Sequence, residues 1–301
     1  MFVDIKGTTR VKMCVRDYDG AGFIPSFQRY AREGYDCVCL ARKGLYIPET
    51  EGLIPSYECK TGNPNSSDGE YRILGIGVTS DPEIPEDWEN MIKTSSAKAV
   101  EAIRRIHMKN GYAILRDAHK NTADEIARLE GLDAVEIRGE KDGVSELLCE
   151  LSTRGINLGV FCSGDGFLGG VCVETKSEDG AGIVRALKAG RYFSSEGDSE
   201  IIISSTPSGR VRVDCSPASK IQFFTDGDIS PESKIQFFTD GDISPESKIQ
   251  FFTNGDISPD RVYTGEDLIC AEYIPRDGEK FIRAQVTSAE GLCAWSNYIE
   301  V

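Results

Sequence analysis

Residues Lys6–Gly44 read KGTTRVKMCVRDYDGAGFIPSFQRYAREGYDCVCLARKG. Thr8–Cys14 alternates polar and apolar positions and is rich in β-forming residues, which predicts a strand. Pro25 suits the first turn of a helix, where its missing N–H has no partner to lose. Phe27, Tyr30 and Ala31 follow at helical spacing, and Gly34 ends the helix. Cys37–Leu40 is a short continuous apolar run, as expected of a strand covered on both faces in a parallel sheet. The stretch is one βαβ unit.

The pattern continues downstream. Leu53–Cys59 and Tyr71–Val78 read as strands, separated by the Gly-, Asn-, Pro- and Ser-rich turn Gly62–Gly69. A long amphipathic helix is expected over Trp88–Asn110, with Ala97, Val100, Ile103, Ile106 and His107 on its inner face. Tyr112–Leu115 is the next strand, and Thr122–Leu129 a helix with Thr122 as N-cap. Then come strand Val135–Ile137, helix Val144–Arg154 and strand Leu158–Cys162. Strands alternating with helices imply a parallel α/β barrel.

From Ser199 the pattern changes to short strands with turns: Glu200–Ser204, Val211–Cys215, Leu268–Tyr273, Phe281–Ser288 and Ala294–Val301. This predicts an all-β sandwich of immunoglobulin-like size. The expected organisation is a barrel over residues 1–198 and a β module over residues 199–301. Within the module, Ser219–Glu232 (SKIQFFTDGDISPE) recurs identically as Ser233–Glu246, and Ser247–Asp260 differs only at Asn254 and Asp260. A period of 14 is even, so each copy presents the same side chains to the same face of a sheet. The repeat over 219–260 reads as an enlarged hairpin or extra strands at a sheet edge. Its paired phenylalanines could drive self-association. Its acidic turns match no EF-hand or nonapeptide Ca²⁺ pattern.

With 49 acidic against 34 basic residues the chain carries a formal charge of −15. That disfavours nucleic acid and anionic membrane as partners, since both reward basic surface. The ten cysteines are scattered without a CxxC pair. They read as buried thiols in a reducing compartment. No apolar run has the length of a membrane span, and MFVDIKG lacks a signal-peptide core. A cytoplasmic location is expected.

Several of these segments resemble the polymerase and histidinol phosphatase (PHP) family. KGTTRVKMCVRDYDG, REGYD and CVCLARKG keep the frame of that family's opening unit, K-G-x-T-H-x-H-T-x-x-S-D-G, G-Y-D and T-D-H. LIPSYE is similar to L-I-P-G-x-E, YRILGIGV to H-x-I-L-G-x-G-V, and GVFCSGDGF to G-x-x-S-D-D-A-H. ALKAG with RYFSSEG resembles A-L-K-x-G-R-x-Y-x-S-x-G, and CAWSNYIEV resembles a tail found in members with a C-terminal β module. The resemblance spans the chain apart from the repeat. It implies a distorted (β/α)7 TIM-like barrel followed by a small all-β sandwich. It also implies phosphoester hydrolysis by two or three metal ions held on His, Asp and Glu.

The ligand positions depart from that pattern. Arg10 and Lys12 stand in place of H-x-H, Arg42 and Lys43 fall within the T-D-H position, and Arg72 occupies a site that is often His. Asp17 (or Asp19), Glu58, Asp117 and Asp165 remain as carboxylates at or near the same rim. The two histidines, His107 and His119, fall outside the motif. Clustered carboxylates repel and titrate upward unless cations lie among them. The reading is a barrel that lost most metal ligands, with Arg10, Lys12, Arg42, Lys43 and Arg72 replacing the metals or holding an anion such as a phosphate-bearing small molecule. Loss of Lys12 or Lys43 would then destabilise the barrel noticeably. No cofactor is expected on this reading. The alternative is a phosphoesterase acting on nucleotides or small phosphate esters with Mn, Fe or Zn ions. Ser163, Cys14 and Cys162 are weak nucleophile candidates, since no His is placed to activate them.

Overall fold

The computed structural model describes residues 8–18, 27–62, 69–84, 94–139, 143–163, 169–225, 236–238 and 262–301. β1 (Thr9–Asp17) is buried on both sides over Met13, Cys14 and Val15. Val11, Met13 and Val15 face one apolar layer, and Cys14 faces another with Tyr18, Tyr30 and Tyr35. β1 pairs in parallel with β2 (Cys37–Ala41), and every residue of β2 is buried. Between them runs α1 (Gln28–Arg32). The βαβ unit is therefore present, while Pro25 falls outside the described residues.

A six-stranded sheet follows in the order β3 (Tyr46–Ile47), β5 (Ser56–Gly62), β6 (Glu70–Ile76), β7 (Tyr112–Arg116), β8 (Ala134–Ile137) and β9 (Gly159–Cys162). One face packs Tyr71, Ile73, Leu115 and Val135 against α2 (Ser95–Met108), α3 (Ala123–Ile126) and α4 (Val144–Thr153). The other face contributes Leu74, Ile76, Ile114, Ala134 and Phe161 to the layer that holds Val11, Met13 and Val15. α5 (Gly180–Lys188) packs Ile183 and Leu187 into the same layer.

The second sheet has twelve strands among the described residues. It includes β1, β2 and β4 (Leu53–Ile54), then β10 (Gly170–Thr175) and β11 (Tyr192–Ser195). The C-terminal strands β12 (Ile201–Ser205), β13 (Val211–Thr225), β14 (Gln236–Phe238), β15 (Val262–Tyr273), β16 (Phe281–Thr287), β17 (Cys293–Ser296) and β18 (Ile299–Glu300) complete it. Its main path runs β14-β15-β13-β16-β17-β11-β10-β1-β2-β4.

The expected closed parallel barrel is corrected here. Two mixed sheets face each other across a shared apolar layer, and although the Gly44 N–H donates to Glu58 O at 2.8 Å, no strand ladder among the described residues joins them into a cylinder. β5, β6 and β7 are successively antiparallel, as are β1, β10 and β11. The connection between β5 and β6 is too short for a parallel crossover, which takes a dozen or more residues. β17 pairs with β11, so the C-terminal strands continue the N-terminal sheet.

α2 also differs from expectation. It begins at Ser95, capped by Thr94 Oγ1, which accepts from the Ala97 N–H at 3.2 Å. The expected residues 88–93 lie outside the described segments. Its buried face is Ser95, Lys98, Ala99, Ala102, Ile103 and Ile106, with Ala97 exposed. Gly75 and Gly111 set this rotation. A Cβ on either would lie 2.8 Å from Ile106, so both glycines make a notch for that side chain.

In the repeat, Ser219–Thr225 of the first copy ends β13, flanked by β15 and β16. Gln236–Phe238 of the second copy forms β14 at the sheet edge, against β15. The third copy lies outside the described residues. The ten thiols are free, and no helix among the described residues is long and apolar enough to cross a membrane.

Candidate functional site

Along each inner strand the apolar row ends in a charge. Asp17 lies two residues beyond Val15, Arg72 two before Leu74, Arg116 two beyond Ile114, and Glu136 two beyond Ala134. Period-2 alternation keeps each on the face that lines the shared layer. Glu58 of β5 joins them at the same end.

The side chains interlock. Glu58 Oε1 accepts from Arg72 Nη2 at 2.8 Å, Arg72 Nε at 3.1 Å and Arg116 Nη1 at 3.3 Å. Arg116 Nε donates to Glu136 Oε1 at 3.0 Å, and Arg116 Nη1 also reaches Asp17 Oδ1. Arg72 Nη2 donates to Asp17 Oδ1 at 3.2 Å. Asp117 Oδ2 accepts from Arg72 Nη1 at 2.9 Å and Lys120 Nζ at 3.1 Å, and Asp117 Oδ1 lies 2.6 Å from Arg138 Nη2. Four carboxylates thus meet four cations.

The network is buried at its centre: Arg116 is 1% exposed, Glu136 2%, Glu58 3% and Asp117 4%. Buried charges persist only when paired and hydrogen-bonded. Burial pushes the Glu58 carboxyl up, and Arg116 and Arg72 offset only part of that. For Asp17 burial acts upward as well, but Arg116 and Arg72 outweigh it and the carboxyl titrates below its ordinary value. Asp117 feels the same opposition, and Arg72, Lys120 and Arg138 hold it at about 2. Its backbone is left-handed, with φ 54°, a conformation that costs a non-glycine residue about 1–3 kcal/mol. The strained turn aims the Asp117 N–H at Glu136 Oε2, 2.8 Å away.

Of the residues expected at the rim, Asp17, Glu58, Asp117 and Arg72 come together here. Arg10 and Lys12 do not, because even positions of β1 face the opposite side from Asp17. Arg10 pairs with Glu200 at 2.9 Å and Glu174 at 3.6 Å, and Lys12 with Asp198 at 2.7 Å. Arg42 and Lys43 are exposed beyond β2. Arg42 lies over the Tyr18 ring at 5.4 Å, and Lys43 forms a parallel β-bridge to Glu58. Asp165 and Asp19 lie outside the described residues.

The sequence reading missed Arg116, Lys120, Glu136 and Arg138. A signal existed for two of them, since a charge inside YAILR or AVEI, strands buried at every residue, needs a partner.

Neither histidine reaches the cluster: His107 Nε2 lies 2.8 Å from Asp133 Oδ2, and His119 is exposed. Burial pushes the Cys14 thiol up to about 12, far from a thiolate. Ser163 is fully buried, and its hydroxyl has no partner among the described residues.

A catalytic transition-metal pair needs carboxylates and imidazoles with free lone pairs. Here each carboxylate is engaged by guanidinium or ammonium groups and no imidazole is near, so the donor set does not fit such ions. No group of three or more His, Cys, Asp or Glu side chains among the described residues is arranged to hold a metal.

No family model and no curated protein matches the chain. Solved structures are similar to it, among them the following two. One is a two-domain protein containing a predicted PHP-like metal-dependent phosphoesterase from Bacteroides vulgatus ATCC 8482. It is 10% identical with a TM-score of 0.45, covering 99% of this chain and 96% of that one. The other, from Bifidobacterium adolescentis ATCC 15703, is described provisionally as a metal-dependent phosphoesterase. It is 10% identical with a TM-score of 0.35, covering 52% of this chain and 87% of that one. Both scores are below 0.5, so neither likeness bears on the activity of this chain.

Proposed function

We propose that this chain is a PHP-like protein that binds rather than hydrolyses, its metal positions taken over by guanidinium groups. The supporting observation is the interleaving of Arg72 and Arg116 with Asp17, Glu58, Asp117 and Glu136. Such a rim is close to neutral without a metal. It retains one unspent donor, the buried Arg116 Nη2, which has no acceptor among the described residues. A donor in that position favours a small anion such as a phosphate group over a cation.

The test is metal analysis of the purified protein together with hydrolysis of a chromogenic phosphate ester in Mn²⁺, Fe²⁺ and Zn²⁺. The expected result is less than one transition metal per chain and no turnover above background. Two tightly held metals with turnover would restore the phosphoesterase reading and overturn this one.

A further inference from the structure

One apolar-walled space is remote from the strand-end cluster. It is a cavity of about 670 Å³ between β11, β12, β13 and the end of the chain. Its walls include Phe193, Ile201, Ile203, Cys215 and Ile299, and its volume lies in the range of small-molecule sites.

Arg191 lines this cavity. Its backbone is pinned from both sides: its N–H donates to Ala186 O at 3.0 Å, and its carbonyl accepts from the Glu174 N–H at 2.9 Å. Among the described residues its side chain makes no ion pair, and Nε is buried without an acceptor. The neighbouring acids are already engaged, Glu174 by Arg10 at 3.6 Å and Asp214 by Arg212 at 2.7 Å. A second unmatched group on the wall is Asn297 Oδ1, in a side chain 9% exposed. Burying a polar group without a partner is unfavourable, so a charged donor and an acceptor left unmatched beside an apolar wall point to a ligand that supplies both.

We propose that this cavity binds an apolar monocarboxylate. Its carboxylate meets the guanidinium of Arg191, a group suited to that charge. Its hydrocarbon body lies along Phe193, Ile201, Ile203 and Ile299, and a hydroxyl on that body meets Asn297. Glu174 and Asp214 at the same walls disfavour a phosphate dianion.

The experiment is calorimetric titration of the full chain with decanoate, kept below micelle-forming concentration, and with decanol as the uncharged comparator. Arg191→Gln and the cavity-filling Ile203→Trp are titrated alongside. The expected result is saturable one-to-one decanoate binding, with decanol about tenfold or more weaker. Arg191→Gln should bring decanoate down to the level of decanol, and Ile203→Trp should abolish both. No saturable decanoate binding, equal binding of decanol and decanoate, or binding untouched by Arg191→Gln would each overturn the proposal. The decanol comparison decides the matter in the unmodified protein should a variant fail to fold.

Discussion

Arg72 and Arg116 are direct cross-strand partners on β6 and β7, and both donate to one oxygen, Glu58 Oε1. Like charges placed directly opposite destabilise a sheet. They are tolerated here because Asp17 and Glu58 sit between them and Glu136 and Asp117 take their outer edges. The arrangement ties five strands, β1, β5, β6, β7 and β8, together by charge at the end where their apolar rows stop.

Removing Arg116 leaves Glu136 and Glu58 buried with too few donors. Arg116→Met should therefore cost about 3–5 kcal/mol in urea denaturation, the scale of a broken buried pair. Arg116→Met combined with Glu136→Leu should recover part of that loss, because the stranded charge is removed with its partner. A single-variant loss under about 1 kcal/mol would place Arg116 with ordinary solvated pairs instead.

The acid side of the stability profile follows from the same contacts. Asp17 and Asp117 have depressed folded-state values, about 2 for Asp117 against 3.8 ordinarily. Their contribution is complete above the ordinary value and is lost as pH falls through the folded one. Glu58 is raised by burial. In the window above its ordinary value the folded state holds the extra proton, so its contribution declines as pH rises. Asp117→Asn should flatten the acid loss between about pH 4 and pH 2, and Glu58→Gln should remove the opposing slope. Urea midpoints measured from about pH 2 up through the window above the ordinary Glu58 value decide both. An unchanged acid slope in Asp117→Asn would mean that the Asp117 pairing does not contribute to stability.

Strand parity separates what the sequence disclosed from what it hid. Asp17, Glu58, Arg72 and Asp117 were placed at the rim by the motif frame, and their strands bring them there. Arg10 and Lys12 were aligned by motif frame, but β1 runs on to Asp17, three residues past its expected end at Cys14, and their parity turns them outward. Sheet direction was hidden for another reason. α2 lies between β6 and β7 in the chain, as a crossover helix would, yet the two strands are antiparallel. The pairing of β17 with β11 joins residues about a hundred positions apart, and no local pattern encodes such a contact.

The outward placement reverses the expectation for Lys12. Its partner Asp198 has a side chain 79% exposed, and solvated pairs contribute about 0–1 kcal/mol. Lys12→Ala should shift the urea midpoint by less than Arg116→Met by a factor of three or more. A loss equal to that of Arg116→Met would show that Lys12 supports the core in a way its contacts do not convey.

Trp295 makes the boundary after Asp198 testable. It is fully buried in the cluster that holds Ile103, Ile106 and Leu148, although it lies on β17. Its Nε1 donates to Gln285 Oε1 at 2.9 Å, which also accepts from Ser145 Oγ of α4 at 3.2 Å. Arg283 Nη2 donates to Ser145 O at 2.8 Å. A chain ending at Asp198 would expose the Trp295 site and leave β11 without its neighbour β17. The full chain should therefore unfold in one calorimetric transition with equal calorimetric and van't Hoff enthalpies, and Trp295→Ala should lower that whole transition by about 3–5 kcal/mol. Two resolved transitions, with Trp295→Ala moving only one of them, would instead establish two autonomous units that meet across β11 and β17.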